Sequence, residues 1–250
     1  MKDIVTLSGD IGGGKSSVAR ILKETLGFQL ISAGGIQREI AAGMGLTTLQ
    51  LNEWSAKDRS VDDKIDSHTQ ALGVSGDRII VDSRLAWHFI PAAYKVFLSV
   101  DPMVGAARVF EASRSDEFHG SLTEAQENNF ARTRLEAVRY HTLYGIELRD
   151  YRNYDLVVDT SYVSPQMVAD VIEKGFSAHQ NRLPYPQLWM SPKRLAGLPE
   201  IASGEVAQTT GQLALTALEG SFHLVSGDVA AALVAAAIRD DTALLPAQLV

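Results

Sequence analysis

The sequence contains no cysteine, which removes disulfides, thiolate nucleophiles and cysteine-ligated zinc from its chemistry. Positive charge is also scarce: 23 lysines and arginines stand against 30 aspartates and glutamates, a formal net charge of −7. Nucleic-acid and anionic-membrane binders draw affinity from clustered basic residues, so neither partner is expected. Long hydrophobic runs are missing as well. No uninterrupted apolar stretch of about 18 residues occurs, and the N-terminus MKDIVTL lacks a basic segment leading into an apolar one. A cytoplasmic location is the expectation.

What remains is material for a real core, with 46% apolar and 21% charged residues in a chain of 250. That length suits one large domain, or one medium domain with a small appendage. Short β-branched runs at 4–7, 29–32, 78–82, 95–100 and 155–159 read as strands. Helical composition fills 16–26, 35–42, 48–57, 61–72, 103–113 and 122–144 between them, and Ser164-Pro165 opens a closing helix over 163–174. Such β-α alternation predicts an α/β fold, a parallel sheet sandwiched by helices. After Gly175 the stretch FSAHQNRLPYPQ, with two prolines and few aliphatics, reads as a linker. The expected division is therefore 1–176 and a small α+β domain at 183–250, the latter holding 188–190, an alanine-rich stretch at 229–238 and a terminal 244–250.

The segment from Gly9 to Ser16, GDIGGGKS, fits G-x-x-x-x-G-K-[ST] between a strand and a helix. Gly9, Gly12, Gly13 and Gly14 let backbone N–H groups turn inward toward phosphates, at the positive end of the following helix. Lys15 would reach the β- and γ-phosphates of a nucleoside triphosphate, Ser16 would ligate magnesium, and Ser17 belongs to the same cradle. The competing reading is a glycine-rich turn with a solvent-facing lysine; the strand before it and the helix after it favour the phosphate loop. RIIVDSR ends a buried-looking strand in Asp82, where P-loop enzymes place a carboxylate on magnesium or its water shell; the alternative is a turn residue. Arg84 would face an anionic substrate. Arg108, Arg114, Arg132, Arg134 and Arg139 cluster on two helical stretches, as a lid over a phosphoryl transfer requires, or as a solvated face laced with Glu124, Glu127 and Glu136.

These residues bring out a family likeness. SGDIGGGKSSVARIL, LISAGGIQREIA, VDDKID, IIVDSRLAWHFIP and RYHTLYGIELRDYRNYDLVVDTS, in that order, resemble the cytidylate kinase-like nucleoside monophosphate kinases, especially the archaeal type. The resemblance implies a P-loop NTPase fold with a five-stranded parallel sheet, a monophosphate-binding insert and a short arginine-bearing lid, with ATP and Mg2+ as cofactors. It implies that Arg38 and Arg84 bind the acceptor's α-phosphate, that Ser32 and Gly34 shape that pocket, and that Asp62 and Asp66 read sugar or base. Arg132 and Arg139 are similar to the lid arginines. His88 is expected to pack beside Trp87. Two departures stand out: Asp10 and Ile11 replace small residues or proline in the loop, and Asp82-Ser83 stands where the archaeal enzymes carry Glu-Gly.

The tail resembles, more faintly, a ParB/sulfiredoxin-like domain through LWMSPKRLAGLPEI, LVSGDVAAALVAAAI and LLPAQLV. The G-H-x-R-like signature of active relatives is replaced by Gly227, Asp228, Val229 and Ala230, so no separate phosphotransfer or nuclease chemistry is expected there. A homodimer through this tail, a partner contact or a cover over the kinase site are the roles it admits. Three functions remain in view. The first is transfer of the ATP γ-phosphate to CMP or dCMP. The second is a kinase of another small acceptor, such as a modified nucleotide or specialised metabolite; the third is an ATP-binding regulator acting through the tail.

Overall fold

The computed structural model describes residues 2–46, 60–112, 121–201, 213–218, 220–225 and 243–250. The helix expected at 48–57, Arg114, the alanine-rich stretch at 229–238 and the positions 227–230 lie outside the described residues. Among the described residues, ten strands, numbered in chain order with their ranges given below, form one mixed sheet in the order β2-β3-β1-β4-β5-β6-β10-β8-β9-β7. The five expected strands are its parallel half: β1 Ile4–Gly9, β2 Gln29–Ser32, β3 Ile79–Asp82, β4 Tyr94–Ser99 and β5 Leu156–Asp159. β1, at the centre, is buried at every position, as a strand covered on both faces must be.

Helices cover both faces. α1 (Lys15–Leu26) turns Val18, Ala19 and Leu22 inward and stops at Gly27, which adopts φ 65°. α2 is Ala33–Gly43 and α3 is Ser60–Ser75. α4 (Ala86–Phe89) is a single turn that buries Trp87, while His88 packs edge-on against its ring as expected. α5 (Pro102–Glu111) is capped by Asp101, whose carboxylate accepts from the Met103 and Val104 amides. α6 (Leu122–Tyr144) runs 23 residues and buries only Ala125. α7 (Pro165–Gln180) starts with proline at its first position and with Ser164 accepting from the Met167 amide. One core layer packs α1 and α7 against Val5, Leu7, Val96, Leu98 and Val158. No helix among the described residues is long and apolar enough to cross a membrane.

The sheet does not stop at the end of α7. β6 (Leu188–Met190) pairs in parallel with β5 and antiparallel with β10 (Leu245–Leu249). Beyond it lie β8 (Ala214–Leu218), β9 (Ser221–Val225) and β7 (Glu200–Ile201), with the single turn α8 (Pro192–Leu195) in between. A second core cluster joins Phe97 of β4 and Val157 of β5 to Leu215, Phe222 and Leu224 of the tail. Apolar packing is thus continuous from the parallel strands into the residues after 183.

Candidate active site

Strand order decides where the site lies. From β1 the chain moves to β3 and β2 on one side and to β4 and β5 on the other, and ligands of open α/β sheets bind outside the strand carboxyl ends at such a switch point. The phosphate loop leaves β1 there. Gly12, at φ 77°, has no room for a side chain: a Cβ would sit 2.3 Å from the Gly105 carbonyl oxygen. The loop thereby lies directly on the start of α5.

A cleft of about 950 Å³ opens over the loop. Its walls include Gly12, Gly13, Gly14, Lys15, Ser16 and Ser17 of the loop and α1, together with Ser32, Gly34, Arg38, Asp82, Arg84 and Arg132 from other elements. Gly9 lies beneath it, and its carbonyl accepts from Lys15 Nζ at 3.3 Å and from Arg84 Nη1 at 2.9 Å. Lys15 also donates to the Asp10 carbonyl at 3.3 Å. Burial, and next the charge of Arg84, lower the Lys15 ammonium to about 8, against the pull of Asp82, Asp10 and Glu136. Burial pushes the Asp82 carboxyl up, while Lys15, Arg84 and a hydrogen bond from Ser16 hold it down. Asp82 and Ser16 therefore present two oxygen donors next to the loop.

Glu136 of α6 lies between two arginines, 3.3 Å from Arg84 and 3.2 Å from Arg132. Asp62, Asp66 and Arg139 are not among the residues lining the cleft. Arg139 grips both oxygens of Asp62, at 2.8 and 2.7 Å, and the Tyr144 hydroxyl donates to Asp66 at 2.8 Å. These contacts join α3 to α6 beside the cleft.

Three polar contacts supporting the cleft were not foreseen. Asp10 is 7% exposed; it accepts from the Val100 amide and from both Nε and Nη2 of Arg149. Arg108 spans two loops, donating to the carbonyls of Gly12, Thr160 and Ser161. Asp159, fully buried at the end of β5, pairs with Arg194 of the tail at 2.8 Å. Asp10 gave a signal, since it departs from the small residue or proline frequent at that position. Asp159 and Arg194, 35 residues apart in different elements, gave none.

A family model described as the cytidylate kinase-like family matches residues 4–162. The chain belongs to the cytidylate kinase-like family. It is a nucleoside monophosphate kinase with a nucleotide-binding P-loop. Among its relatives is a cytidylate kinase of Haloquadratum walsbyi, 36% identical over 179 residues that cover 71% of this chain and 91% of that one. A cytidylate kinase of Natronomonas pharaonis is 35% identical over 70% of this chain and 90% of its own length. Another relative is named S-adenosylmethionine-dependent nucleotide dehydratase, from Lacinutrix mariniflava; 34% identity over 173 residues covers 69% of this chain but 35% of that protein. A crystal structure of an uncharacterized protein from Eubacterium ventriosum superposes with a TM-score of 0.56 at 17% identity, covering 71% of this chain and 99% of that one. It shares the fold of this cytidylate kinase-like chain.

Proposed function

We propose that the protein transfers the γ-phosphoryl group of ATP to a pyrimidine nucleoside monophosphate, CMP or dCMP, and releases ADP and the nucleoside diphosphate. The observation that carries this reading is that one cleft is lined both by a phosphate loop and by Arg38, Arg84 and Arg132. One end suits the triphosphate of the donor; the other suits a second phosphate. An oxygen of the acceptor's phosphate attacks the γ-phosphorus as the bond to the β–γ bridging oxygen breaks, so no enzyme nucleophile is needed. Lys15 would sit against the β- and γ-phosphates, with Gly9, Gly12, Gly13, Gly14, Ser16 and Ser17 cradling the chain of phosphates. Arg38 and Arg84 would hold the acceptor phosphate within a pocket shaped by Ser32 and Gly34, and Arg132 would offset charge building on the transferred oxygens.

Asp82 and Ser16 fit a hard divalent cation: both offer oxygen, and a hydrogen bond already joins them. No group of three or more His, Asp or Glu side chains that could hold a metal ion occurs among the described residues. Mg2+ would therefore be held partly by the nucleotide phosphates themselves, as is usual for that ion. When bound it neutralises phosphate charge. Asp62 and Asp66, fixed by Arg139 and Tyr144, remain the proposed readers of sugar or base.

A second reading, a modified nucleotide as acceptor, draws on the match to part of a protein named as a nucleotide dehydratase. An ATP-dependent regulator is disfavoured, because Arg38 and Arg84 add a second anion pocket that a sensor has no use for. The deciding experiment measures ADP release from ATP and magnesium with CMP, dCMP, UMP, AMP and GMP offered singly, with Lys15→Ala as control. Turnover confined to CMP or dCMP and lost in the variant is expected. No turnover with any of the five, despite ATP binding, would overturn the proposed acceptor.

A further inference from the structure

Asp159 closes β5, next to the cleft-lining Thr160, and is fully buried. A carboxylate taken out of water is costly unless it is paired and its lone pairs are filled. Among the described residues, five donor contacts satisfy it. One oxygen accepts from the amide and hydroxyl of Ser161 and from Arg194 Nη1; the other accepts from the amide and hydroxyl of Ser191. Ser191 and Arg194 belong to the tail. Among the described residues, Arg194 is the one cation in ion-pair contact with Asp159. Arg194 is itself only 10% exposed, donates to Ser99 Oγ at 2.9 Å and rests over the Phe222 ring.

The loop that Asp159 anchors is a wall of the cleft, which Thr160, Val163 and Pro165 line. Its backbone is held from the other side by Arg108, which also donates to Gly12 in the phosphate loop. A continuous polar path thus runs from Arg194 through Asp159, the Thr160–Ser161 backbone and Arg108 to Gly12. A second tail contact reaches the same loop. Gly220, at φ 75° in the turn between β8 and β9, lies so close to Arg149 that a Cβ would meet its Cδ at 2.7 Å. Arg149 is the residue that grips Asp10. The Gly220 carbonyl also accepts from the Tyr151 hydroxyl at 3.0 Å.

We propose that the described tail residues Ser191, Arg194 and Gly220 are an integral support of the donor-nucleotide site, and that Arg194 is a positioning residue for ATP, acting through Asp159 and the 159–163 loop. This rests on the reading of the cleft as the site of phosphoryl transfer. It makes the tail a structural partner of the donor half specifically: Arg38, Ser32 and Gly34, on β2 and α2, have no tail contact in the path.

The test compares the full chain with Arg194→Met, Arg194→Lys and Ser191→Ala, measuring ATP affinity by calorimetry, KM for ATP and for CMP separately, and denaturant unfolding. Arg194→Met is expected to weaken ATP binding by about tenfold or more, the scale on which displaced supporting groups act, with the KM for CMP changed by less than about twofold. Arg194→Lys should recover part of the loss, because one charge returns to Asp159, and adding Asp159→Asn to Arg194→Met should recover part of it by removing the unpaired carboxylate. If Arg194→Met does not fold, Ser191→Ala decides, with a smaller loss confined to ATP. Unchanged ATP affinity in a folded Arg194→Met, or equal rises in both KM values, would overturn the proposal. A wild-type chain that binds no ATP would instead overturn the functional reading, and this inference with it.

Discussion

Asp10 stands where such loops often carry a small residue or proline, and its carboxylate has three donors: the Val100 amide and two nitrogens of Arg149. Replacing it by alanine leaves that amide and a half-buried guanidinium without their acceptor. Hydrogen bonds involving a charged group contribute about 1.5–3 kcal/mol each when lost, so Asp10→Ala is expected to lose stability of that order in urea unfolding. Asp66 supplies a prediction in pH. Burial holds its carboxyl above the ordinary carboxylate range, Asp62 and Asp63 add to this, and the Tyr144 hydrogen bond opposes it. A group that binds its proton more tightly when folded favours folding at low pH and loses that contribution as pH rises through the folded value. Asp66→Asn lacks the loss. Its stability relative to wild type should therefore increase between about pH 4 and about pH 7, read from chemical denaturation at the two pH values; a constant difference would contradict the assignment.

Helices α6 and α7 differ in what they stake on their side chains. In α7 the Ser164 hydroxyl receives the Met167 amide and six residues are buried, so Ser164→Ala should cost about 1 kcal/mol in thermal or chemical unfolding. In α6 Leu135 and Val138 are 72% and 61% exposed. Leu135→Gln should shift stability by no more than about 0.5 kcal/mol and leave the unfolding cooperative. The five parallel strands and α1, α5, α6 and α7 were legible in the sequence because each carries its own signal: β-branched runs, helical composition and, for α7, a Ser-Pro start. The phosphate loop was legible for the same reason, its residues being consecutive. Arg139 shows where such reading ends. Composition and family likeness both place it on the lid helix, yet its engagement with Asp62, 77 residues away, follows only from how α3 and α6 cross.

At the scale of the molecule, the role of the tail was hidden by the shortness of its strands. β6 has three residues and β7 two, too few for periodicity to register, and their partners are remote in sequence. The prolines at 184 and 186 read locally as a linker, whereas the hydrogen-bonded ladder runs past them from β5 to β6. A chain ending at residue 180 would lose β6, expose β5 as an unprotected edge and strip Asp159 of Ser191 and Arg194. It is expected to melt at lower temperature and to self-associate, measured by thermal unfolding and size-exclusion chromatography against the full chain; an equally stable monomer would show that the tail adds nothing to the sheet.

Synthesis on the ribosome gives the Asp159–Arg194 pair a direction in time. The carboxylate leaves the translating ribosome 35 residues before its guanidinium, an interval of roughly 2–7 s at about 5–20 residues per second. Until Arg194 emerges, closing the end of β5 would bury a charge with no counter-ion, so the nascent chain has reason to leave that corner hydrated. The nucleotide cleft then takes its final form late, when the last quarter or so of the polypeptide arrives to lock what the rest has already outlined.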